Sequence, residues 1–166
     1  MRGGTSNAVV FKLQDLPRDR ALWDDLFIAA IGSPDPYGRQ LDGMGGGVSS
    51  LSKVCIVGPA TRPDADIDYT FVQVAVREAK VDYSGNCGNM SSAIGPFAVT
   101  EGLVCVARDG PVTVRIHNTN TRKIIHATFE VCHGQPVETG DLEIPGVDGS
   151  GSPVRLDFLE PGGATT

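Results

Sequence analysis

Ser84-Gly85-Asn86-Cys87-Gly88-Asn89, with the run Met90 to Glu101 (MSSAIGPFAVTE) behind it, is the stretch that decides the fold. Apolar residues at Met90, Ile94, Phe97, Ala98 and Val99 recur at helical spacing, so the run reads as a helix. Pro96 falls inside it, where a proline costs about 3 kcal/mol or forces a kink. A helix enclosed by sheet tolerates that. Ser91, Ser92, Ala93 and Gly95 are small enough for surrounding strands to approach closely. Gly85, Asn86, Gly88 and Asn89 are turn residues, which puts Cys87 at the start of the helix.

Strands are expected on both sides of this helix. Upstream, Ala8 to Leu13 is a short apolar strand, broken at Asp15-Leu16-Pro17. Arg18 to Ile31 has helical spacing, with Gly32 as its C-cap and Ser33-Pro34-Asp35-Pro36 unable to continue it. The loop DGMGGGVSSLS, residues 42–52, delivers Lys53 to the edge of a strand running to Gly58. Asp68 to Arg77 alternates, with Tyr69, Phe71 and Gln73 on one face and Thr70, Val72 and Val74 on the other; both faces look largely buried, as in a central strand. Downstream, Val104 to Ala107, Val112 to Asn118, Lys123 to Val131 and Val154 to Leu159 read as strands. Asn118 to Arg122 forms a hairpin turn, and Gly146 to Pro153 a flexible loop.

Composition supports a strand-rich chain. Gly is 21 and Pro 11 of 166 residues, against about 7% and 5% on average, so turns are many and long helices few. The net charge of −6 argues against nucleic-acid and anionic-membrane surfaces, so an anionic ligand needs a locally positive site. No apolar run approaches the ~18 residues of a membrane span, and MRGGTSNAVVF lacks the regions of a signal peptide. A cytoplasmic protein is expected. Cys55, Cys87, Cys105 and Cys132 form no C-x-x-C pair, and the three histidines complete no zinc-ligand spacing, so the cysteines read as free thiols.

Cys87 is the first candidate for chemistry. Unpaired amides and the dipole at a helix N-terminus favour a thiolate, which serves as nucleophile or base, and the turn amides beside it suit an anion. The alternative is a buried structural cysteine. Cys55, Cys105 and Cys132 lie in strand-like runs and read as packing residues. Lys53 follows a glycine-rich stretch, but Ser52 precedes it and the phosphate-loop pattern fails. What remains is a cation behind a loop of amides and hydroxyls, suited to a carboxylate or enolate oxygen, against the alternative of a solvated lysine. Arg2, with Thr5 and Ser6, offers a guanidinium and two hydroxyls to a carboxylate, or else a frayed terminus. His117 and His126 are expected on the outward, solvated face of a hairpin. Asp82 could hold a loop as easily as a proton.

Met1-Arg2-Gly3-Gly4-Thr5-Ser6, Gly32-Ser33-Pro34-Asp35, Asp42-Gly43-Met44-Gly45-Gly46, Ser52-Lys53 and Ser84 to Asn89, in this order, closely resemble the methylaconitate isomerase and oxalomesaconate tautomerase (PrpF-like) family. Cys87-Gly88-Asn89 also resembles the cysteine motif of diaminopimelate epimerase. The resemblance implies an α+β, diaminopimelate epimerase-like domain: a mixed or antiparallel, β-barrel-like sheet around a central helix, one of two such domains. It implies a cofactor-independent isomerase or tautomerase of unsaturated tricarboxylates such as methylaconitate, aconitate or oxalomesaconate, using neither metal nor coenzyme. By the same resemblance Lys53 and Cys87 are the proton-transfer groups, and Arg2, Thr5, Ser6, Ser52, Asn86, Gly88 and Asn89 bind carboxylates.

Asn7 and Ala8 depart from the family motif, which usually has Lys and Gly there, so one positive charge near the substrate is missing. The chain is expected to be a single N-terminal domain, residues 1–166, stopping at Pro161 to Thr166 before a second domain. Either that domain or a further copy of the chain would complete the site. Two other readings stand beside the isomerase: an accessory module that binds a carboxylate without turnover, and an amino-acid epimerase, which would need a second cysteine facing Cys87.

Overall fold

A computed structural model describes residues 1–160 of the chain; the expected tail at Pro161 to Thr166 lies outside the described residues. Its frame is a mixed sheet curled around one helix. Strands β1 (Arg2–Gly3) and β2 (Ser6–Lys12) form a tight hairpin, and β2 runs parallel to β3 (Lys53–Pro59). Then β3 pairs antiparallel with β4 (Ile67–Val74), which carries the two-residue β5 (Val81–Asp82) on one end. The parallel pairing of β4 with β6 (Gly110–Asn118) joins the two halves of the sheet. Next comes β7 (Lys123–Cys132), paired with β6, with β8 (Gln135–Pro136) and, after the separate hairpin of β9 (Leu142–Glu143) and β10 (Ser150–Gly151), with β11 (Arg155–Phe158).

Strands β3 and β4 are buried on both faces, as the alternation from Asp68 predicts, although the strand ends at Val74 and not at Arg77. On the inner face Cys55, Val57, Ile67, Tyr69, Phe71, Ile116, Ala127 and Phe129 pack around helix α2 (Gly88–Thr100). On the outer face Val54, Ile56, Val72 and Val74 pack beneath helix α1 (Trp23–Ile31) through Trp23, Phe27 and Ile31. Burying one such side chain contributes about 1.5–3 kcal/mol, so both layers are strongly favoured.

The enclosed helix is built as its sequence requires. Eight of its residues are buried, and Pro96 is among those turned partly outward. A Cβ on Gly95 would lie 2.8 Å from Phe129 Cε1 and 3.1 Å from Ala127 Cβ, so only glycine lets β7 approach this closely. At the other end a Cβ on Gly3 would lie 3.0 Å from Met90 Cα, which seats the β1–β2 hairpin on the first turn of α2.

Four expectations are corrected. Residues 18–19 are not helical: Asp19 caps a short 3₁₀ turn at Arg20–Leu22, accepting from the Ala21 amide at 3.0 Å, and α1 starts at Trp23. Val104 to Ala107 is not a strand. The amides of Leu103 and Val104 cap the end of α2 through the Ala98 carbonyl, at 2.8 and 3.1 Å, and their side chains pack on the core without pairing. Cys105 and Cys132 are exposed rather than packed: Cys105 lies in the irregular segment after α2, and Cys132 is the last residue of β7, at the turn into β8. His117 is not solvated. It is 8% exposed, since the parallel register sets Asp68 beside it, and its Nδ1 lies 3.0 Å from Asp68 Oδ1.

Candidate active site

Two strand registers and one helix terminus converge at the Lys53 end of β3. Ala8 stands opposite Lys53, and Lys53 opposite Gln73. Ser6, Ala8, Lys53, Cys55, Phe71 and Gln73 share the inner face by strand alternation. Ser6 is two residues from Lys53's register partner, about 7 Å along β2, and its hydroxyl lies 3.8 Å from Cys87 Sγ. The sheet thus brings the amine and the thiol to one end of the curled layer.

Lys53 is 7% exposed. Its ammonium donates to the Ser49 carbonyl at 2.7 Å and to Gln73 Oε1 at 2.6 Å, and it stands 5.4 Å from the centroid of the Phe71 ring. All these partners are neutral. Burial pulls the Lys53 pKa below its ordinary value, while the nearby Cys87 and Cys55, when ionised, push it back up. Lys53 and Cys87 are therefore within electrostatic reach of each other. The third N–H of the ammonium has no partner in the described structure and is free to meet an anion.

Cys87 is the N-cap residue of α2, in extended conformation, and its side chain makes no capping bond. The amides of Gly88 and Asn89 have no partner within the helix and lie in exposed residues, so they can receive an anionic oxygen. Beneath the thiol, Tyr69 and Cys55 are buried side by side, with Cys55 Sγ 3.8 Å from the Tyr69 hydroxyl. Burial pushes the Cys55 thiol to about 12 and the Tyr69 hydroxyl upward as well, which keeps both neutral.

The remaining predicted residues separate into groups. Asn89 Nδ2 donates to Thr5 Oγ1 at 3.0 Å, fastening the hairpin to the helix, and Arg2 donates to the Gly4 carbonyl at 3.2 Å. Arg2, Gly4, Gly88 and Asn89 line one side of a groove of about 640 Å³ that runs between α2 and the segment from Pro136 to Leu156; Lys53 and Cys87 do not line it. Asn86 is half-buried and its Oδ1 accepts from Asn118 Nδ2 at 3.4 Å. Ser52 stands apart. It is fully buried, its hydroxyl 2.8 Å from both Gln40 Oε1 and the Val48 carbonyl, so its side chain is used inside the loop. Asp82 holds its turn, accepting from the Ser84 amide at 2.7 Å.

Sequence reasoning missed three supports of this site. Alternation puts Gln73 on the inner face but does not show its role as an acceptor for Lys53. Asn120 lies in the expected turn, yet its side chain acts as a strand neighbour, accepting from the Phe71 amide at 2.7 Å and donating to the Phe71 and Tyr83 carbonyls at 2.8 and 2.7 Å. The loop before Lys53 is ordered by Asp35, whose carboxylate accepts from the amides of Tyr37, Arg39 and Gln40, and by buried Gln40. An acidic residue just after Ser-Pro and ahead of several amides was the available signal for the last of these.

The family model described as PrpF protein matches residues 1–166. The chain is 48% identical to a 2-methyl-aconitate isomerase of Cupriavidus necator over 97% of its length, and 47% identical to a 3-methylitaconate isomerase of Eubacterium barkeri over 100%. It is 44% identical to a 4-oxalomesaconate tautomerase of Pseudomonas putida over 99% of its length. It covers 42%, 43% and 45% of those proteins, so it spans less than half of each relative. The crystal structure of a methylitaconate-delta-isomerase superposes with a TM-score of 0.89 at 47% identity, over 94% of this chain and 40% of that one.

Proposed function

The chain belongs to the PrpF family, and from that premise we propose that it carries the proton-transfer groups of a cofactor-independent isomerase acting on unsaturated tricarboxylates. The observation that supports this best is the setting of Lys53: a buried ammonium held only by neutral acceptors, with one N–H free, within reach of a thiol at a helix N-terminus. A structural lysine would be paired with a carboxylate. A lysine that exchanges protons gains from burial, because its pKa moves toward the working pH.

In the proposed reaction, one member of the Lys53–Cys87 pair, in its unprotonated form, removes a proton from carbon next to the double bond. The electron pair spreads through the allylic system onto the adjacent carboxylate as an enolate. The other member, still protonated, returns a proton at the far allylic carbon, or at the same carbon after rotation, and the double bond is moved or its geometry changed. The free N–H of Lys53 and the Gly88 and Asn89 amides stabilise the developing negative charge. Arg2 and Thr5 hold a remote carboxylate.

Relatives are more than twice as long, and the Lys53–Cys87 face of the present chain would be closed by a further domain or a second copy, excluding water from the enolate. A cytoplasmic location accords with the four free cysteines. The test follows ultraviolet absorbance of the chain mixed with cis-aconitate, trans-aconitate or 4-oxalomesaconate, beside Lys53→Ala and Cys87→Ser. Turnover that either substitution abolishes supports the proposal. Absence of turnover from a folded sample favours a carboxylate-binding module that lacks its own catalysis.

A further inference from the structure

The far end of the sheet holds a group of side chains that the isomerase chemistry does not use. Asp109, directly before β6, Cys132, the last residue of β7, and His133, the first of the turn into β8, place a carboxylate oxygen, a thiol sulfur and an imidazole nitrogen within 4.8 Å of one another. Linear spacing conceals this set, because Asp109 lies 24 residues before His133. Tertiary pairing assembles it: Gly110 stands opposite Val131, so the next step outward brings Asp109 against Cys132.

The backbone there is fixed by a tight hairpin turn. Cys132 pairs with Gln135 across a two-residue turn in which His133 and Gly134 have φ of 52° and 74°. Two successive left-handed residues make the tight hairpin turn that often takes Asn-Gly, and histidine is among the non-glycine residues enriched in that conformation. The His133 amide donates to Asp109 Oδ1 at 2.8 Å, which ties the carboxylate to the turn and leaves Oδ2 unused by that bond. Three donors are thus held together by the ladder, the turn and one hydrogen bond.

We infer that Asp109, Cys132 and His133 form a binding site for a borderline divalent cation, with Zn²⁺ the best fit. A thiolate, an imidazole and a carboxylate together select Zn²⁺ over Mg²⁺ or Ca²⁺, which take oxygen donors. Tetrahedral coordination at about 2.0–2.3 Å needs donors some 3.5 Å apart, about 1 Å closer than the widest separation here. Exposed side chains close that gap by small rotations. Three protein donors leave one position for water. The site is distinct from the Lys53–Cys87 centre, since β6 runs eight residue steps, about 26 Å, from Gly110 to the Asn118 that bonds Asn86. A bound ion would clamp residues 101–109, which have no regular strand, onto the β7–β8 hairpin.

The experiment titrates Co²⁺, as a visible probe for Zn²⁺, into the chain under reducing conditions, with Cys132→Ser, His133→Asn, Cys87→Ser and Cys105→Ser alongside. His133→Asn keeps a residue that tolerates the left-handed turn. One Co²⁺ per chain with a thiolate charge-transfer band, displaced by Zn²⁺, is expected in the parent and in Cys87→Ser and Cys105→Ser. The band should vanish in Cys132→Ser, and the affinity should fall at least about tenfold in His133→Asn. No stoichiometric binding, or a band that survives Cys132→Ser and disappears in Cys87→Ser, would overturn the assignment.

Discussion

Replacing Gln73 tests how Lys53 is tuned. Its Nε2 donates to the Ser52 carbonyl at 2.9 Å and the Ser49 carbonyl at 3.1 Å, so Oε1 must face the ammonium, which it meets at 2.6 Å. No carboxylate pairs with Lys53 among the described residues. Gln73→Glu keeps the oxygen that meets the ammonium, replaces Nε2, the donor to the Ser49 and Ser52 carbonyls, by a second oxygen, and introduces a negative charge beside Lys53. An opposite charge at this range raises a lysine pKa by about 1–3 units, or roughly 1.4–4 kcal/mol between protonation states. Gln73→Leu has the opposite sign: the ammonium loses an acceptor while burial persists, so its pKa falls further. The assay is the pH dependence of acylation at Lys53 Nζ, read by mass spectrometry, which needs no turnover. The parent midpoint should lie below 10.5, the Glu variant above the parent and the Leu variant below it. Coincident midpoints in all three proteins, or a downward shift in Gln73→Glu, would refute the claim that Gln73 sets the acidity of Lys53.

Other consequences follow from the same structure. Cys55 is raised to about 12 by burial, against 9.0 when free, so the unfolded chain loses this proton first. Stability from this group is complete below pH 9 and drains away as pH rises from 9 towards 12, on the order of 1 kcal/mol being lost by pH 10. Urea unfolding of Cys55→Ala should show a correspondingly flatter alkaline slope than the parent. Gly95→Ala drives a methyl against the buried Phe129 ring and should destabilise by about 1–3 kcal/mol, with Phe129→Leu in the same chain recovering part of the loss in chemical denaturation. Asp35→Ala removes the acceptor for three amides and should lower hydrogen-exchange protection across residues 37–47, and lowering pH through the depressed Asp35 pKa should lower protection, measured against the intrinsic rate at each pH, in the parent alone.

Much of this architecture was legible in the sequence because period and face are local properties. The alternation of Ile67 to Val74, the small residues of α2 and the Gly32 cap each point to a burial pattern that the structure displays. Partners are not local, and that is where the reading failed. His117 alternates outward, yet the parallel pairing with β4, invisible in the sequence, lays Asp68 against it. Val104 and Val106 have strand chemistry but pair with no strand, and they pack instead on the core around α2. At the site, the glycine-rich loop ahead of Lys53 and the glycines beside Cys87 mark those two residues in the sequence. Nothing local marks Gln73, Asn118 and Asn120, because a polar residue that orients another looks like any polar residue until both are in place.

The central claim is that Lys53 and Cys87 pass a proton to and from carbon. Proton NMR of cis-aconitate incubated with the chain in D₂O tests it most directly, since exchange of the methylene protons reports enolate formation even without net isomerisation. The parent chain should incorporate deuterium, and Lys53→Ala and Cys87→Ser, each verified as folded, should lose that incorporation. Incorporation that persists in both variants, or none from the folded parent at saturating substrate, would contradict the assignment of this chemistry to these residues.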